Sequence, residues 1–97
     1  MYQLQQTDVF DKWLLELRDV RAKARILARL ESVRLGNLND VRSVGRGVSE
    51  MRVDVGAGYR VYFTRRQRIV LILLCGGDKS SQAKDIVRAQ RMAQAIE

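Results

Sequence analysis

The chain has 97 residues, 46% of them hydrophobic, which fits one domain over residues 1–97 with a single core and argues against disorder. With no histidine and one cysteine, Cys75, it lacks the commonest general base and the commonest zinc ligand and cannot form an internal disulfide, so neither a metal nor a cofactor is expected. The net charge of +7 is uneven, +1 over residues 1–40 and +6 over residues 41–97, a bias that suits a polyanionic partner such as nucleic acid or else a surface rich in lysine and arginine.

Residues 2–5 (YQLQ) read as a short strand. Thr7 then caps a helix whose first turn carries Asp8 and Asp11, both favourable to the helix dipole. Phe10, Trp13, Leu14 and Leu17 give that helix one apolar side. Asp19 starts a second helix that runs to about Leu35, with Gly36 as its cap and GNLND as the exit turn. Ile26, Leu27, Leu30 and Val33 form its apolar side, and Arg21, Arg25 and Arg29 form a stripe on the other. That stripe is either a solvated face or a docking surface for an acidic partner.

From Asp40 the pattern changes from helical period to alternation. Strands are predicted at 41–45, 48–55, 59–65 and 68–75, with Gly45-Arg46-Gly47 as the first turn. The last strand, apolar at nearly every position, belongs inside the sheet with both faces covered. Ser80 or Ser81 opens a final helix with Ile86, Ala89, Ala93 and Ile96 on one side, and Lys84, Arg88 and Arg91 beside them. No apolar run reaches the ~18 residues of a membrane span, the longest being IVLILLC at 69–75. The first residues lack the pattern of a signal peptide, so a cytoplasmic location away from membranes is expected.

The hairpin around Gly56-Ala57-Gly58 has a definite parity. A three-residue loop sets Val55 opposite Tyr59, Asp54 opposite Arg60, Val53 opposite Val61 and Arg52 opposite Tyr62, which collects the apolar residues on one face. Glu50, Arg52, Asp54, Arg60, Tyr62 and Thr64 then share the other. Asp54 is the expected cross-strand partner of Arg60, a pair worth ~0.2–1 kcal/mol. Arg52, Arg60 and Tyr62 form a cluster able to hold a phosphate and stack a base. Gly76-Gly77-Asp78-Lys79 reads as a glycine turn with free N–H groups at a helix entrance, a ready anion site. Cys75 reads as a small core hydrophobe.

The segments EMRVDVGAGYRVYF (50–63), LLCGGDKSSQ (73–82) and DIVRA (85–89) resemble the RelE/ParE superfamily of type II toxin–antitoxin toxins, in its HigB-like "addiction module killer" branch. The resemblance spans roughly residues 2–95 and implies an α+β, RelE-like fold: two N-terminal helices on a twisted antiparallel sheet, an open-faced cleft, and a C-terminal helix. It also implies a ribosome-dependent mRNA endonuclease, held inactive by a cognate antitoxin that resembles a helix-turn-helix repressor. Other members of the superfamily, the ParE-like ones, inhibit DNA gyrase without being enzymes.

Carried over position by position, the scissile-phosphate arginine falls on Arg60. Arg52 takes the arginine of the preceding strand, and Lys79 the basic position before the last helix. The implied reaction is metal-independent attack by the RNA's own 2′-OH, with Arg46, Tyr62, Lys84 and Arg88 as RNA contacts. Arginine suits a bidentate clamp on the developing charge, and a lysine among arginines suits the role of general base, because neighbouring positive charge favours its neutral form. The chain departs from some nuclease relatives in having no histidine and no tyrosine beyond Tyr62.

Overall fold

A computed structural model describes residues 1–96. In chain order the elements are β1 (Gln3–Gln6), α1 (Asp8–Glu16), α2 (Val20–Arg34), β2 (Val41–Gly45), β3 (Val48–Val53), β4 (Tyr59–Arg66), β5 (Val70–Asp78), a 3-10 turn (Lys79–Ser81) and α3 (Gln82–Ala95). The helices begin where local chemistry allows. Thr7 accepts from the Phe10 amide at 3.1 Å, and Asp19 accepts from the Ala22 amide at 3.0 Å. α2 ends in a Schellman arrangement: the Gly36 amide donates to Val33 O and the Asn37 amide to Ser32 O, with Gly36 at φ 105°.

The strands form one sheet in the order β1-β5-β4-β3-β2. This is the α+β architecture expected, with two helices between β1 and the other four strands and one helix after them. β5 lies inside the sheet as predicted, and β1 alone runs parallel to its neighbour.

Three local expectations change. The β3–β4 connection is five residues long, 54–58, so the register sets Val53 opposite Tyr59, Arg52 opposite Arg60 and Glu50 opposite Tyr62. A slip of two residues preserves parity, so the faces are as predicted and the partners are not. Within the loop, Gly56 passes so close to Asp19 that a Cβ there would lie 2.7 Å from its carboxylate. Second, Gly76 and Gly77 belong to β5, paired with Val61 and Arg60, so they do not form a turn of free N–H donors. A Cβ on Gly76 would lie 2.5 Å from the Trp13 ring, and one on Gly77 would collide with the Asp85 carboxylate. Third, Leu27 is half exposed and lies outside the core face of α2.

Each face of the sheet carries its own core. On the first, Phe10 of α1 and Ile26, Leu30 and Val33 of α2 meet Met51, Val53, Val61, Phe63, Leu71 and Leu73. On the second, Ala89 and Ala93 of α3 close against Val48, Tyr62, Ile72, Leu74 and Cys75. Arg66 ties down the end of α3 by donating from Nη2 to Ala93 O and Ile96 O, which places a cation where the helix dipole favours one.

Candidate functional site

The polar face of the hairpin lies largely beneath α3, not open to water. Glu50 and Tyr62 are fully buried, and Arg60 keeps only 7% of its surface. A buried carboxylate survives only with partners. Glu50 Oε1 accepts from Arg42 Nε at 2.9 Å, Oε2 accepts from Gln82 Nε2 at 2.8 Å, and Arg60 Nε lies 3.6 Å from Oε2. Burial alone would raise the Glu50 carboxyl, but the hydrogen bonds from Arg42 and Gln82 and the charge of Arg42 outweigh it and hold the group below its ordinary range. The Arg60 carboxylate partner is therefore Glu50. Asp54 is exposed and meets Arg52 instead, at 3.6 Å.

Arg60 reaches out from this anchor. Its Nη1 donates to Gly58 O at 3.0 Å, while Nε is shut off from water with no hydrogen-bond partner. The backbone of the 3-10 turn touches the same loop, the Lys79 amide donating to Ala57 O at 3.4 Å. Arg52, Asp54, Arg60, Lys79 and the loop from Val55 to Gly58 line a cleft of about 320 Å³. Two arginines directly opposite on adjacent strands repel, an arrangement a purely structural sheet avoids. Here the repulsion is tolerated beside two carboxylates, Glu50 below and Asp54 at the rim. Three cations around one small concavity are the side chains that a candidate phosphate site requires.

The structure thus brings Arg52, Arg60 and Lys79 together. It leaves the other expected contacts elsewhere. Arg46 is exposed in the β2–β3 turn, about 20 Å along β3 from Arg52. Lys84 and Arg88 are exposed on α3, lining a separate cavity with Val87 and Arg91. Tyr62 has no exposed face on which to stack a base, a correction to its expected role: α3 covers its ring, and its hydroxyl lies against Glu50 without the geometry of a hydrogen bond. Burial, then the charge of Glu50, raises that hydroxyl well above the phenol range. Cys75 is buried, and burial with the charge of Asp85 pushes its thiol up to about 11, which suits an inert core residue.

Sequence reasoning missed the support beneath the cleft. Glu50, Arg42 and Gln82 come from three elements, and only the position of Glu50 on the Arg60 face hinted at it. Among the described residues, no cluster of three or more His, Cys, Asp or Glu side chains is placed to hold a metal ion.

Comparison with known proteins places this fold. The free-state structure of a double mutant of the E. coli toxin RelE superposes with a TM-score of 0.72, covering 99% of this chain and 98% of RelE. At 13% identity that likeness concerns the fold. The class is the RelE/ParE superfamily of toxins, which act within toxin–antitoxin pairs and have an antitoxin as partner. Within it, the chain belongs to the phage-derived Gp49-like family (DUF891), whose model matches residues 12–95. An uncharacterized protein of Haemophilus influenzae is 48% identical over 94 residues, 97% of this chain and 95% of that protein.

Proposed function

We propose that this toxin is a HigB-like, ribosome-dependent mRNA endonuclease, active in the cytoplasm and silenced by a cognate antitoxin of the helix-turn-helix type. The observation that carries the reading is the cleft in which Arg52, Arg60 and Lys79 converge above a buried carboxylate. A scissile phosphate seated there meets a guanidinium from each of two strands and an ammonium from the turn. Charge on its oxygens grows as the 2′-oxygen bonds to phosphorus and the P–O5′ bond breaks, so preorganised cations stabilise the transition state more than the substrate. The products are a 2′,3′-cyclic phosphate and a 5′-hydroxyl.

That displacement removes a proton from the 2′-OH and supplies one to the leaving 5′-oxygen. Among the cleft-lining side chains the arginines hold their protons, which leaves Asp54 to accept one and Lys79 to donate one. Both are exposed, consistent with modest chemistry on an RNA whose geometry the ribosome sets, since positioning alone supplies several kcal/mol.

The test is a map of mRNA 5′ ends shortly after induction. New 5′-hydroxyl ends inside translated messages, absent from untranslated controls, are expected. Intact messages accompanied by DNA-damage signalling would overturn the reading in favour of gyrase inhibition.

A further inference from the structure

A second groove, of about 390 Å³, lies between α2 and the end of β3. It shares Arg52 and Asp54 with the cleft, so the two concavities adjoin at the tip of β3. Its α2 wall carries Arg25, Arg29 and Ser32, and Asp40 lies at its edge. Arg25 and Arg29 belong to the arginine stripe of α2, which the proposed reaction does not use.

Arg29 is the informative member. Its Nη1 donates to Asn37 O at 3.1 Å, while Nη2 is withheld from water and has no acceptor. A guanidinium N–H left without an acceptor costs free energy, so Arg29 keeps unused donor capacity beside the groove. The linings of cleft and groove together hold Arg25, Arg29, Arg52, Arg60 and Lys79 against Asp40 and Asp54, with Glu50 paired to Arg60 beneath them. The track is cationic from end to end.

We infer that this groove is a second phosphate subsite, which holds a neighbouring phosphate of the RNA strand whose scissile phosphate occupies the cleft. The inference rests on the endonuclease reading for the identity of the strand. A strand clamped at Arg52 and Arg60 carries further phosphates at regular intervals, and a positive groove leaving the clamp is the path that stabilises them. Arg52, common to both concavities, bridges the two subsites. Arg29, fixed by Asn37, meets a phosphate with little side-chain entropy left to lose.

The experiment measures binding of a short single-stranded oligoribonucleotide, with hydrogen in place of the 2′-hydroxyl at the cut position, between about 50 and 200 mM salt. The purified wild-type protein is compared with Arg25→Gln, Arg29→Gln and Arg60→Ala. Arg25→Gln, an exposed change, guards against a folding effect of Arg29→Gln. Each groove variant is expected to weaken binding severalfold and reduce the slope of log affinity against log salt by about 0.7, one phosphate contact on a single strand.

Unchanged slopes in both groove variants overturn the inference, as does a wild-type protein that holds no RNA at the lowest salt. Groove variants that bind RNA normally but release the antitoxin also overturn it and assign the groove to an acidic protein. If Arg60→Ala alone leaves affinity and cleavage untouched, the cleft assignment fails while the groove stands on its own slope.

Discussion

The two faces of the sheet are built by different rules. The face under α1 and α2 is a hydrocarbon core in which Ile26, Leu30 and Val33 meet Met51, Val61 and Phe63 with no charge among them. The face under α3 also excludes water, yet it holds Glu50 and Arg60 and leaves the Tyr62 hydroxyl without a partner. Burying an ion pair seldom adds net stability over apolar packing of the same volume. A sheet needing only to fold would carry the first kind of core twice. The second face retains its charges where they surface, at the cleft that joins the tips of β3 and β4 to Lys79. One side of the sheet is stabilised by apolar packing alone, and the other combines an apolar core with buried charges that lead to the cleft.

That contrast is open to attack at its charged side first. Glu50→Ala removes the carboxylate that Arg42, Gln82 and Arg60 share, stranding buried donors, and is expected to cost about 3–5 kcal/mol in chemical denaturation. Its pH signature has a definite sign. Because the native Glu50 carboxyl is held below its unfolded value, its contribution is full above the unfolded value, near 4.3, and disappears as pH falls through the lowered native one. Stability measured across that window should fall less steeply in Glu50→Gln than in the wild type. Parallel curves would show that Glu50 stabilises nothing by its charge.

A smaller effect is expected where α1 meets β5. Gly76→Ala pushes a methyl group into the Trp13 ring, an overpacking cost of about 1–3 kcal/mol in thermal or chemical melts. Binding to the antitoxin and toxicity should survive where the variant folds. Loss of toxicity in a folded Gly76→Ala protein would mean that the site extends well beyond the cleft.

Legibility in the sequence followed the same division. The helices and their caps were readable because Thr7, Asp19 and Gly36 act on backbone groups within a few residues. Sheet parity was readable because an odd slip would have exchanged the faces. The absolute register was not, since a shift of two residues leaves every hydrophobic residue on its own side. Within that wider loop Asp19, the N-cap of α2, leaves no room for a Cβ on Gly56. Gly76-Gly77 looked like a turn because two glycines usually make one, whereas here Trp13 and Asp85 leave no room for a Cβ on a strand.

The candidate site was legible only in part. Arg52 and Arg60 announced themselves by alternation and by resemblance to a toxin family, and Lys79 by resemblance and by a glycine turn that the structure replaces with strand. Their support came from Arg42 and Gln82, which lie 8 and 32 residues from Glu50. No local pattern encodes such a partnership. The arginine stripe of α2 was visible throughout, but its connection to the cleft appears only once β3 brings Arg52 between them.

The central claim is that Arg60 acts on phosphate and is not merely a partner for a buried carboxylate. Arg60→Ala leaves Glu50 with Arg42 and Gln82, so the variant should still fold. The decisive measurement is growth arrest on induction, alongside a melting curve and antitoxin binding for the same variant. The account predicts a folded, antitoxin-binding protein that no longer stops growth. Full toxicity in that folded variant would contradict it.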